Sequence, residues 1–206
     1  MSGRTSEYVV GKLRIIARGD VYKPSDDTWL LINLIDEVKP RSRVCVDLGS
    51  GTGIVGSHLL SNGYCELALL VDVMEDALTS SKMTLEVNNL SSRGITITSV
   101  EALTDGSVDM VVSNPPYLPA HAPSEIDIAT EGGVKGYETI AYFIKESSRV
   151  LKQGGQLILV YSSLTGEKVV ESLLAENGFV KIKTASSRFF YEEIKVVYCK
   201  RKGYAG

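Results

Sequence analysis

Asparagine, two consecutive prolines and a tyrosine, Asn114-Pro115-Pro116-Tyr117, follow directly on the apolar run Val108-Asp109-Met110-Val111-Val112. Proline lacks the N–H a ladder needs and fixes its own φ, so a strand ending at Ser113 must stop here in a rigid turn. The Asn114 side-chain oxygen and the carbonyls around Pro115 then form a fixed set of acceptors, with no proline N–H to compete for them. Such acceptors suit a planar NH2 group, on an amide or on an exocyclic amine. A strand-terminating turn with no chemistry uses the same residues.

A second set lies upstream. Val44-Cys45-Val46-Asp47-Leu48-Gly49-Ser50-Gly51-Thr52-Gly53 reads as a strand running into a glycine-rich turn and then a helix. Glycines let the backbone turn sharply and approach a ligand, and the helix N-terminus beyond offers free N–H groups. The spacing is ambiguous, because Gly51-Thr52-Gly53-Ile54-Val55-Gly56 is also a literal G-x-G-x-x-G dinucleotide pattern. Asp72, at the end of the next strand, suits an acid that accepts both hydroxyls of a ribose. It speaks for a ribose and not for a particular cofactor. Glu101 stands just past the third strand, where a solvated loop glutamate is the plain alternative to a ligand contact.

The elements that must position these residues follow from apolar periodicity. Val9-Val10 and Leu13 to Ile16, split by Gly11-Lys12, predict a short hairpin. Ser25, Asp26 and Asp27 predict a capped helix start, followed by Trp29, Leu30, Ile32, Leu34, Ile35 and Val38, with Pro40 closing it. From Arg43 strands and helices alternate: strand 44–48, helix 53–61, strand 66–73, helix 75–89, strand 95–100. The second half adds the strand ending at Ser113, a helix over 137–151 closed by Gly154-Gly155, a strand over 156–161 and a helix over 166–177 with Gly178 as its C-terminal glycine. Strands 179–185 and 194–199 form an antiparallel pair. The pattern predicts one doubly wound Rossmann-like α/β domain over residues 1–206, with a seven-stranded, mostly parallel sheet and an antiparallel last strand. The nineteen-residue loop after Tyr117 exceeds ordinary connections, which marks it as functional.

Composition narrows the function classes. No apolar run is long enough to span a bilayer and no secretory signal opens the chain, so a soluble cytoplasmic protein is expected. A net charge of -3 argues against a direct nucleic-acid footprint, which normally shows as a basic face. Lys195, Lys200, Arg201 and Lys202 read as a solvated basic tail. Cys45, Cys65 and Cys199, with only His58 and His121 beside them, supply neither a disulfide framework nor a metal site.

Asn114 to Tyr117 resembles the Asn-Pro-Pro-Tyr motif of S-adenosylmethionine-dependent methyltransferases that modify amide or exocyclic amine nitrogens. Asp47 with Gly49, Gly51 and Gly53 is similar to their motif I, whose turn cradles the methionine part of the cofactor rather than a pyrophosphate. Val21-Tyr22-Lys23-Pro24-Ser25-Asp26-Asp27-Thr28-Trp29-Leu30-Leu31 resembles the V-Y-x-P-x-x-D-T-aromatic-L-L segment of HemK-like glutamine methyltransferases, in their short archaeal and eukaryotic branch. Glu131-Gly132-Gly133 to Gly136 and Ser187-Arg188 to Glu193 match as well.

The resemblance implies S-adenosyl-L-methionine as cofactor, with Thr28 at its carboxylate end, Asp47, Gly49, Ser50, Gly51, Gly53, Asp72 and Asn114 around it, and Glu101 facing the adenine amine. Residues 1–40 would complete that pocket. Asn114, Pro115, Pro116 and Tyr117 would be the catalytic turn, Tyr117 packing on the amide plane. The implied substrate is the glutamine of the Gly-Gly-Gln loop of a class I peptide-chain release factor, and the implied partner is a small zinc-binding activator subunit. Bacterial relatives carry a helical substrate-gripping domain before motif I, and the 46 residues here are too few for it. Glu125, Asp127 and Glu131 give the mouth an acidic cast that would suit a basic protein loop. Methylation of lysine or of nucleic-acid adenine N6, or a non-catalytic cofactor-binding role in a heterodimer, remain the competing readings.

Overall fold

In the computed structural model, residues 4–116, 137–189 and 192–203 are described. Tyr117, the acidic residues after it and the Glu131 to Gly136 match lie outside the described residues. The chain divides into two compact units, Met1–Ala102 and Leu103–Gly206.

The first unit opens with the expected hairpin, longer than its apolar core: β1 (Thr5–Val10) pairs antiparallel with β2 (Leu13–Arg18). There follow α1 (Asp26–Val38), β3 (Ser42–Leu48), α2 (Ile54–Ser61), β4 (Cys65–Val71), α3 (Glu75–Val87) and β5 (Gly94–Ile97). β3, β4 and β5 are parallel neighbours. Their apolar runs bury Cys45, Val46, Ala68 and Leu70 completely, and Leu31 and Ile35 of α1 and Leu59 of α2 are equally buried. β5 stops at Ile97, three residues short of the expected end, because Val100–Ala102 turns into a single 3-10 turn.

β2 is held to α3 by side chains in place of a strand. Arg14 N–H donates to Asn88 Oδ1 at 3.0 Å, Ile16 N–H to Thr84 Oγ1 at 3.0 Å and Arg18 N–H to Ser80 Oγ at 2.9 Å. Four helical residues rise about 6.0 Å and two strand residues about 6.7 Å, so acceptors at i, i+4 and i+8 meet alternate strand N–H groups. The free edge of β2 is thereby covered.

The second unit comprises β6 (Val108–Ser113), α4 (Glu138–Val150), β7 (Leu151–Ser162), α5 (Glu167–Glu176), β8 (Phe179–Phe189) and β9 (Glu192–Arg201). β6 and β7 are parallel, and β9 runs antiparallel to both β7 and β8. The strand order is β5-β4-β3 in the first unit and β6-β7-β9-β8 in the second, which gives the seven strands expected, mostly parallel, with the last one antiparallel.

Two expectations are corrected here. Gly154-Gly155 does not close α4, which ends at Val150; both glycines lie inside β7. Val108 pairs with Leu151 and Met110 with Gln156, so the β7 residues between them bulge, and Gly154 supplies the positive φ of 73° that this needs. The basic residues near the C-terminus are not a tail either. Lys195, Lys200 and Arg201 lie in β9, and Lys195 Nζ stands 2.6 Å from Glu167 Oε1 and 3.6 Å from Glu193 Oε2.

Candidate active site

The C-terminal ends of β3, β4 and β5 lie at one edge of the first unit, as parallel strands require, and the expected cofactor residues cluster there. Gly49, Gly51 and Gly53 have φ of 78°, 52° and 75°, a left-handed turn that side chains with a Cβ resist. The turn spends its own donors internally. Gly49 and Ser50 N–H both donate to the Val71 carbonyl at 2.9 Å, Gly51 N–H to Asp72 Oδ2 at 2.9 Å and Gly53 N–H to the Ser50 carbonyl at 2.7 Å. Asp72 Oδ1 accepts from Met74 N–H at 3.0 Å.

Asp47 is buried, and its Oδ2 accepts Gly56 N–H at 2.8 Å, in the first turn of α2. A carboxylate therefore already occupies the helix N-terminus that a pyrophosphate would use. With the Gly49, Ser50, Gly51 and Gly53 N–H groups also bonded within the chain, the literal G-x-G-x-x-G here has few donors left for a phosphate. Burial pushes the Asp47 carboxyl up to about 7; the Gly56 N–H opposes this and the charge of Asp72 adds to it.

The donor set fits the methyl donor the sequence implies. Two acids flank the turn, suited to ribose hydroxyls and a sulfonium cation. Ser50 Oγ and Thr52 Oγ1 are buried and unpartnered within the chain, polar atoms that a polar ligand would satisfy.

Thr28 sits at the third position of α1, buried; its hydroxyl accepts from Ser25 N–H at 3.4 Å and donates to Asp27 Oδ1 at 3.1 Å. Glu101 is exposed in the turn after β5, its carboxylate taking the Ser99 hydroxyl. Asn114, Pro115 and Pro116 belong to the second unit, directly after β6. Pro115 is buried, and Asn114 and Pro116 are half-buried.

The family model of the methyltransferase small domain matches residues 21–190, which include the glycine turn, both acids and the Asn114 turn. The chain belongs to this methyltransferase family. A Methanocaldococcus jannaschii relative, named provisionally as a protein N5-glutamine methyltransferase, is 31% identical over 182 residues, 86% of this chain and 90% of its own. The Schizosaccharomyces pombe eRF1 methyltransferase catalytic subunit is 25% identical, covering 95% of each chain. Among solved structures, the Mtq2 chain of the Encephalitozoon cuniculi Mtq2–Trm112 complex superposes with a TM-score of 0.69 at 23% identity, over 89% of this chain and 99% of that one. That likeness is one of fold, and it is the fold the strand–helix alternation predicts.

Sequence reading passed over two residues that this methyltransferase fold makes conspicuous. The sequence places Asp27 with Asp26 among the acids of a helix start, and the structure adds that it is 4% exposed and takes the Tyr22 hydroxyl at 3.0 Å. An acid between Asp26 and Thr28 on the inward stripe of an amphipathic helix was the available signal. Val73, directly after Asp72, is 78% exposed, an apolar side chain standing beside the acid at the mouth of the strand.

Proposed function

We propose that the chain transfers a methyl group from S-adenosylmethionine to the side-chain amide nitrogen of the glutamine in the Gly-Gly-Gln loop of a class I peptide-chain release factor, in company with a small zinc-binding activator subunit. The observation that carries this reading is the Asn114-Pro115-Pro116 turn at the end of β6, in a chain similar over most of its length to enzymes named for protein glutamine. The activator is supported by the complex in which the structurally similar Mtq2 was solved.

S-adenosylmethionine, when bound, supplies an electrophilic methyl group on a sulfonium. Asp72 would take its ribose hydroxyls, Thr28 its amino-acid end and the glycine turn its methionine chain, with Glu101 toward the adenine amine and Val73 against the base. An amide nitrogen is a poor nucleophile because its lone pair is delocalised into the carbonyl. Asn114 Oδ1 and the Pro115 carbonyl would accept its two N–H groups and orient that lone pair, so positioning and aimed acceptors supply the main catalytic effect. Pro116 keeps the turn rigid and Tyr117 would pack on the amide plane. After transfer the proton leaves to water, and no tuned base is required.

The test is incubation with labelled S-adenosylmethionine and a release factor, with and without the activator. Label should enter wild-type release factor and not a version whose Gly-Gly-Gln glutamine is alanine. Label that persists in the alanine version, or that enters only lysine-rich protein or DNA, overturns the glutamine reading.

A further inference from the structure

Residues 19–25 cross the glycine turn without regular secondary structure of their own. A Cβ placed on Gly51 would stand 3.8 Å from the Tyr22 carbonyl oxygen and 3.9 Å from Val21 Cγ2. The crossing segment is anchored differently at its two ends. At the β2 end, Gly19 N–H donates to the Arg4 carbonyl at 3.0 Å, and Val21 packs with Ala17 and Ala77 under Tyr8 and Met74. That anchor is apolar and belongs to the fold.

At the α1 end the tie is polar. The Tyr22 hydroxyl donates to Asp27 Oδ2 at 3.0 Å, and Asp27 Oδ1 accepts both the Thr28 N–H at 2.5 Å and the Thr28 hydroxyl at 3.1 Å. One buried carboxylate thus joins the segment lying over Gly51 to the threonine assigned to the amino-acid end of the methyl donor. A bond to a buried charged acceptor is among the stronger hydrogen bonds a protein makes. Burial and the Asp27 charge also raise the Tyr22 hydroxyl well above the ordinary phenol range, so it remains a donor at every working pH.

We propose that Tyr22 and Asp27 are positioning residues for the methyl donor: Tyr22 pins segment 19–25 across the glycine turn, and Asp27 fixes the Thr28 hydroxyl beneath it. This rests on the reading that the turn holds S-adenosylmethionine. Tyr22→Phe removes one oxygen and leaves the ring and the apolar anchor in place. The segment then lifts from Gly51 more often, and a bound ligand leaves faster.

The experiment measures S-adenosylhomocysteine binding by calorimetry and its dissociation by stopped flow, with steady-state kinetics on the release factor. Tyr22→Phe should weaken binding about tenfold, mostly through the off-rate, and raise KM for the methyl donor by a similar factor. Its kcat and its KM for the protein substrate should stay within about twofold of wild type, and its Tm within roughly 2 °C. Asp27→Asn still accepts from Thr28 through Oδ1 and can donate Nδ2 to the Tyr22 oxygen, so it should bind within about threefold of wild type, while Asp27→Ala should not.

Unchanged binding in Tyr22→Phe overturns the proposal, as does weakened binding accompanied by a loss of Tm of more than about 5 °C, which marks a structural role. If wild type itself fails to bind S-adenosylhomocysteine, the cofactor reading falls and this inference falls with it. If wild type binds and Tyr22→Phe binds equally, only the inference falls.

Discussion

A single oxygen separates positioning from chemistry at Asn114. Its neighbours Ser113 and Pro115 are buried and Pro115 is rigid, so Asn114→Ala removes the acceptor without moving the turn. Loss of one aimed hydrogen-bonding group at a reacting centre costs roughly 100- to 1,000-fold in kcat. Single-turnover assays of Asn114→Ala should give at least that loss, with S-adenosylhomocysteine affinity within about threefold of wild type; a parallel collapse of affinity would mean the side chain holds cofactor instead. Asp47 makes the opposite kind of prediction, one about pH. Its folded carboxyl titrates at about 7 against an ordinary value of 3.8, so the folded state holds a proton that the unfolded state has lost between these values. Stability from this group is therefore greatest below about pH 4 and declines as pH rises toward 7. Asp47→Asn keeps an acceptor for Gly56 N–H and has no proton to lose. Its melting temperature, measured from pH 4 to pH 8, should gain on wild type as pH rises and level off above 7; a gain independent of pH would remove the assigned cause.

At the scale of elements, α3 buries polar side chains where an amphipathic helix should bury apolar ones. Ser80, Ser81 and Thr84 are all fully buried. Thr84→Val preserves shape but leaves the buried Ile16 N–H without its acceptor, a cost of about 1–3 kcal/mol readable in denaturant midpoints. A control substitution on the same helix, Lys82→Ala, should cost under about 0.5 kcal/mol because it touches none of the ladder. This feature was not legible in the sequence, since Ser80, Thr84 and Asn88 at helical spacing look like a solvent face until the strand they serve is in place. The glycines divide in the same way. Gly154 and Gly53 look alike as letters, and both have positive φ, but a Cβ on Gly154 meets nothing within 4 Å while one on Gly53 would lie 2.7 Å from Ser81 Cβ and 2.9 Å from Leu70 Cδ2. Gly154→Ala should therefore cost about 1–2 kcal/mol, the left-handed penalty alone, and Gly53→Ala markedly more, with loss of S-adenosylhomocysteine binding. Equal costs in chemical denaturation would show that the space at Gly53 relaxes.

For the whole molecule, the alternation of short apolar runs with amphipathic helices made the fold legible, because a parallel sheet needs a crossover after each strand and the helices announce it. The turns of the candidate site were legible where residue type and local backbone coincide, as at Asp47 to Gly53 and Asn114 to Pro116. Less legible was which partner a polar side chain takes, as between Tyr22 and Asp27 or between Asp72 and Gly51, since residue type does not specify the partner. That difference can be measured through global stability. A ligand that binds only the folded chain stabilises it by RT ln(1 + [L]/Kd), about 2.7 kcal/mol at a hundredfold excess over Kd. For a chain of this size that is a rise of roughly 5–10 °C in Tm with S-adenosylhomocysteine. Asn114→Ala, read as acting on substrate, should retain the whole rise. Tyr22→Phe, at the same ligand concentration and tenfold weaker binding, should lose about 1.4 kcal/mol of it, close to half. Asp47→Asn, which keeps the acceptor for the Gly56 N–H and loses only the titrating proton, should fold more stably at pH 8 and keep most of the rise. Thermal melts of the four proteins with and without S-adenosylhomocysteine would order them, and an Asn114→Ala melt that no longer responds to ligand would place that residue in the cofactor site.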